Sequence, residues 1–179
     1  SFMEDVRLCR AVFKRGKWVT LPGYVMTSAR RFELEGLYER QTLNALINNF
    51  DAIGFHEFFS HAQEAYRQQS QSGRLRLLPF WRLIHHEVGK KGFTGAMKLW
   101  MATGAYVAEN AWQPAFALDC RKNLAKGHPP GTGSRTCLKL FDTILNPLLT
   151  SIPGKFATSL VTGMWFYGQY VKLIISKTK

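Results

Sequence analysis

Phe156 to Ile175 is a run of about 20 residues with a single charge, Lys172, and about 20 helical residues is what the hydrocarbon layer of a bilayer requires. Lys172 lies less than a turn from the end of the run, where its stem can lie in the apolar layer while the ammonium reaches the headgroups. Lys155 precedes the run, and Lys177 and Lys179 close the chain behind it. The pattern predicts one C-terminal transmembrane helix over about residues 155–175. Thr158, Ser159, Thr162 and Gln169 make that span polar enough to prefer protein neighbours to lipid. Because the run is not uniformly apolar, a buried C-terminal helix of a soluble domain is the competing reading.

Upstream, apolar residues recur at helical steps and almost nowhere at alternate positions. Phe32, Leu34, Leu37, Leu43, Leu46, Ile47 and Phe50 predict a helix capped by Thr27 or Ser28 and ended near Asn48-Asn49. A second helix is predicted from about Phe55 to Gln69, then a polar linker, Gln68 to Gly73. The small residues Gly95, Ala96, Ala102, Gly104, Ala105 and Ala108 sit within a helix expected from Phe93 to about Ala117, with Pro114 kinking its end, and would admit a close neighbour. Residues 119–136 are the longest loop candidate. Cys137 to Ile152 reads as an amphipathic helix containing Pro147 and stopped by Pro153-Gly154. The expected fold is all-α: amphipathic helices followed by one C-terminal transmembrane helix. Residues 1–92 form a basic N-terminal arm and helical extension, with an amphipathic helix from Glu4 to Arg15. Residues 93–179 carry the membrane-associated helices.

The net charge of +12 is unevenly placed. Residues 32–66 hold six acidic and one basic side chain, whereas residues 67–100 hold seven basic and one acidic. That contrast predicts charge pairing within the fold, and the basic excess suits a polyanionic surface. Cys9, Cys120 and Cys137 are too few and too scattered for a disulfide framework or a zinc site and fit a reducing compartment. The N-terminus, Ser1 to Val6, lacks a basic segment followed by an apolar run, so no secretory signal is expected there. With Met at position 3, a removed leader or a tag remnant is expected ahead of it.

Few residues suggest chemistry. Pro129 to Thr136 resembles a phosphate-binding loop, but Ser134-Arg135 stands where the motif needs lysine, and no strand precedes it. His85-His86-Glu87 and the His56, Glu57, His61 group lack metal-ligand spacing, since adjacent histidines point apart and a five-residue step leaves one helix face. No catalytic residue, metal site or cofactor is expected. The basic stretches with aromatics, Arg74 to Arg82 and Lys14 to Trp18, would meet RNA phosphates or anionic lipid equally well. No RNA-binding motif accompanies them, so nucleic acid is not the expected partner.

Lys155 to Lys177, with Trp165-Phe166-Tyr167-Gly168 followed by Ile174-Ile175 and a basic end, resembles the C-terminal transmembrane helix of subunit g of mitochondrial ATP synthase. The resemblance covers about 25 residues. It departs from the family where a Gly-x-x-x-Gly contact with subunit e is expected: Gly163 and Gly168 are five apart, and Ser159-x-x-x-Gly163 is the nearest equivalent. The resemblance implies a non-catalytic structural subunit of the inner mitochondrial membrane that supports assembly and dimerisation of the synthase and membrane curvature. Ser159, Gly163, Gly168 and Trp165 would form the helix-packing face toward a subunit e-like helix. Lys155, Lys172, Lys177 and Lys179 would meet anionic headgroups, cardiolipin among them. A supernumerary subunit of another respiratory complex and a basic mitochondrial RNA- or ribosome-associated protein are the alternatives.

Overall fold

A computed structural model describes residues 4–16, 19, 29–69, 73–129 and 131–177. Among them every regular element is helical: α1 Glu4–Phe13, α2 Arg30–Glu35, α3 Leu37–Ala52, α4 His56–Arg67, α5 Leu78–Lys90, α6 Gly92–Glu109, α7 Gln113–Ala125, α8 Thr136–Leu140, α9 Asn146–Thr150 and α10 Ile152–Lys177. The all-α expectation holds. The predicted caps Thr27 and Ser28 lie outside the described residues, as do Ser70 to Ser72 of the polar linker.

The core begins with the periodic face of α3. Leu43, Leu46, Ile47 and Phe50 are buried against Phe55, Phe58 and Ala62, and Phe50 meets the rings of Phe55 and Phe58 at 5.0 and 4.9 Å. Phe80, Trp81, Ile84 and Val88 of α5 continue the same cluster, which reaches Leu99 of α6 and Phe166 of α10. Apolar packing therefore runs without interruption across Lys91-Gly92. The acidic block pairs with its basic neighbour as the charge pattern predicts: Arg74 meets Glu39 at 2.9 Å, and Lys91 meets Glu57. Lys91 holds the Glu57 carboxyl below its ordinary range. Tyr66 donates to Glu35 at 2.6 Å, and Arg40 donates to the other oxygen of the same carboxylate at 3.2 Å. These bonds fix α2 and α3 to α4.

Five features differ from the sequence reading. The first long helix is broken at Gly36, whose φ of 91° suits glycine alone among ordinary residues. The expected Phe93–Ala117 helix ends at Glu109, and Pro114 stands in the first turn of α7 rather than kinking the end of α6. Proline fits there because the first N–H groups of a helix have no intrahelical acceptor. Residues 119–125, expected in a loop, are helical. Pro147 cannot donate one turn back, and a π-helical turn, Phe141–Leu145, precedes it. Pro153-Gly154 likewise starts α10 instead of only stopping the helix before it. Ser151 accepts from Gly154 N–H at 3.1 Å, as an N-cap does.

The expected transmembrane helix requires the largest correction. The segment is helical throughout, but no helix among the described residues is long and apolar enough to cross a membrane. The reason is its mixed composition: Ser159 and Phe166 are buried on one side, where α10 lies along α6, while Thr158, Thr162, Gln169 and Lys172 interrupt the rest.

Candidate interaction face

The α6–α10 seam is built from small residues. A Cβ added at Gly104 would fall within van der Waals contact distance of the Oγ and Cα of Ser159 and 2.5 Å from its backbone nitrogen. The two backbones therefore touch at this point. Ser159 keeps its hydroxyl satisfied by donating to the Lys155 carbonyl at 2.7 Å. One position along, Thr103 is buried and accepts a 3.3 Å bond from Asn49, tying α3 to the same seam. Of the predicted packing residues, Ser159 does pack, but against α6 of its own chain. Gly163 and Gly168 are elsewhere: nothing lies within 4 Å of the position a side chain would first occupy at either.

Rings lock the seam to α5. Trp81 is 1% exposed and lies parallel to Phe166, with interplanar angle 7° and centroids 5.6 Å apart. Its indole N–H donates to the Phe166 carbonyl at 3.1 Å. Trp100 packs on Phe166 at 5.1 Å, and His85 faces Tyr170 at 5.1 Å. Trp165, the aromatic expected in the packing face, is 43% exposed and touches Trp81 edge-on. The buried ring is Phe166, and the seven-residue step from Ser159, two helical turns, is the signal that places both on one face.

The opposite face of α10 is apolar and exposed. Phe156, Leu160, Met164, Val171 and Ile175 fall within about 100° of arc at 100° per residue, and all are exposed. Ile152 and, in the preceding segment, Leu140, Ile144 and Leu148 are exposed as well. Exposed apolar groups on this scale mark interaction or membrane surfaces rather than ordinary scatter. Gly168 lies beside Val171 and Ile175 at the edge of this face and leaves a depression there. Lys155, expected to meet headgroups, pairs with Glu109 at 2.9 Å. Lys172 is exposed and borders a crevice with Arg76 and Arg82. The side chain of Lys177, and Lys179 altogether, lie outside the described residues.

The glycine-rich loop has a structural role. Asn123 of α7 donates to the Ser134 carbonyl at 2.8 Å and accepts from Ser134 N–H at 3.2 Å, while Gly133, at φ 96°, lies against the same side chain. The Ser134 amide that a phosphate would use is thereby engaged. The loop borders a pocket of about 330 Å³ that also holds Asp119, whose negative charge disfavours an anion there. Buried Asp119 accepts from Cys137 N–H at 2.9 Å and Leu138 N–H at 2.8 Å, capping α8 from α7. Burial alone would raise its carboxyl, but the Leu138 and Cys137 amides, with Lys122 nearby, outweigh it and hold the carboxyl below the ordinary aspartate range. A depressed carboxyl stabilises the fold above its unfolded value, about 4, and loses that effect as pH falls through the lower folded value. The Cys137 and Leu138 amide proton shifts should therefore stay native at pH 5 and change only once the pH falls below about 4, the ordinary aspartate value. In Asp119→Ala they should already be displaced at neutral pH.

The histidines serve local contacts. His86 Nδ1 is 3.3 Å from Glu87, whose buried carboxyl also receives Lys90 at 2.8 Å and is held below its ordinary range by it. His61 Nδ1 is 3.2 Å from Ser60 Oγ. Among the described residues no three His, Cys, Asp or Glu side chains converge as a metal site would require. No family model, curated protein or solved structure matches this chain.

Proposed function

We propose that this chain is a non-catalytic structural subunit of the membrane region of the mitochondrial F-type ATP synthase, supporting its assembly and dimerisation and the curvature of the inner membrane. One observation carries the membrane part of this reading: the exposed apolar face of α10, continued by Leu140, Ile144 and Leu148 before it. The Trp165-Phe166-Tyr167-Gly168 resemblance supports the choice of complex. Helix α10 is too polar to cross a bilayer alone. It enters the apolar layer as half of the α6–α10 pair, with its outer face covered by partner helices. Gly163 supplies the close approach that such helices need, because lipid provides no hydrophobic drive between them.

Native electrophoresis of mild-detergent mitochondrial membranes, stained for ATPase activity, tests this reading. The chain should migrate with the dimeric synthase. Gly163→Leu, whose Cβ would meet nothing within 4 Å beyond the surrounding turns of α10's own backbone, should leave the subunit folded and reduce the dimer band severalfold. Migration with another respiratory complex would sink the synthase assignment, and recovery without detergent would sink the membrane reading altogether.

A further inference from the structure

The segment between α4 and α5 alternates. Arg74 and Arg76 are exposed, whereas Leu75 and Leu77 are buried, the burial pattern of an extended strand. Leu75 N–H donates to the Glu35 carbonyl at 3.0 Å, which anchors the segment to α2. Arg74, Arg76 and Arg82 line one crevice together with the apolar residues Leu75, Leu77 and Trp81. The C-terminal part of α10 contributes Lys172, Gln169 and Ser176 to the same crevice. The crevice has a volume of about 600 Å³. Arg74 is neutralised there by Glu39. Arg76, Arg82 and Lys172 have no acidic partner among the described residues. The N-terminal turn of α5, Leu78-Pro79, also borders the crevice and adds the positive end of a 13-residue helix.

We infer that this crevice binds the phosphodiester headgroup of an anionic phospholipid. Three uncompensated cations and a helix N-terminus favour a phosphate, since guanidinium forks match its oxygens and the ammonium adds a point charge. The apolar surroundings favour a lipid over a free ion. A second depression, lined by Gly168, Val171, Lys172, Ile175 and Ser176, shares Lys172 and Ser176 with the crevice and lies on the exposed apolar side of α10. A headgroup on Arg76, Arg82 and Lys172 therefore leaves its acyl chains a path across Gly168 and Val171. RNA would require successive bases to stack on open rings, whereas of the two aromatics that line the crevice Trp81 is 1% exposed and already stacked on Phe166, which leaves Tyr38 as a single open ring. The inference deepens the membrane reading above and rests on it.

Native mass spectrometry of the full chain in mild non-ionic detergent tests the site, with phosphatidylglycerol, phosphatidylcholine and inorganic phosphate as probes. Phosphatidylglycerol should bind one-to-one and at least about tenfold more tightly than phosphatidylcholine. Arg76→Gln with Arg82→Gln, or Lys172→Gln alone, should remove most of that preference, whereas Lys139→Gln, outside the crevice, should leave it intact. Equal binding of the two lipids, or unchanged preference in the variants, would overturn the site without touching the membrane reading, which extraction decides separately. Displacement of the lipid by millimolar inorganic phosphate would show an ion site and overturn the lipid assignment. Displacement by a short single-stranded RNA would do the same.

Discussion

Trp81→Ala should lower the unfolding free energy by about 3–5 kcal/mol, the range for deleting a large buried aromatic. Three contributions combine at this residue. Its side chain is 1% exposed, so nearly all its area is withdrawn from water. Its ring is stacked on Phe166 and touches Trp165. Its N–H reaches the Phe166 carbonyl at 3.1 Å. Trp81→Phe keeps a ring for stacking but loses the N–H and part of the volume, and should cost about 1–2 kcal/mol. Denaturant titration in mild detergent, followed by far-ultraviolet circular dichroism, measures both. A loss below about 1 kcal/mol for the alanine variant would mean that α5 and α10 are not joined through this ring.

Gly104→Ala opposes two effects of different size. Alanine is the better helix former by about 1 kcal/mol, and on an open helix face the substitution would stabilise. Here the new methyl meets the backbone of Ser159 as well as its hydroxyl. Backbone atoms cannot rotate away, so α6 and α10 must separate. Overpacking of this kind costs about 1–3 kcal/mol, and a valine would cost more. The net effect of alanine is destabilising, and Ser159→Gly in the same chain should recover only the part due to the hydroxyl. Thermal unfolding of the two single variants and the double variant decides the point. A rise in midpoint for Gly104→Ala would show that the helices are not in backbone contact.

Both predictions concern residues whose partners lie far away in the chain, and here sequence reading reached its limit. The helical period of Leu43, Leu46, Ile47 and Phe50 was legible, as was the excess of small residues around Gly104. Ser159 was identifiable as a close-packing residue, but a small residue does not name the helix that approaches it, and the partner proved to be α6 rather than another subunit. Pro114 and Pro153 look like helix ends in the sequence although proline is equally at home in a first turn, and this merges α6 with the start of α7. Helix α7 is hard to see in the sequence because Arg121 and Lys122 interrupt its apolar pattern and its apolar residues Phe116, Leu118 and Leu124 are exposed. The cations of the crevice were visible singly, and the Arg74-Leu75-Arg76-Leu77 alternation was short enough to pass unnoticed. Only the fold brings Arg76 and Arg82 beside Lys172, 90 positions on from Arg82.

The exposed apolar face of α10 carries the account, so the decisive measurement identifies what covers it. A photo-crosslinking phenylalanine analogue at Met164, which is 75% exposed, places the probe in the middle of that face. Irradiation of intact mitochondrial membranes should yield a covalent adduct between this chain and a membrane subunit of the ATP synthase, retained in the dimeric complex on native electrophoresis. An uncrosslinked chain released by alkaline carbonate would mean that the face meets water, and would contradict the account.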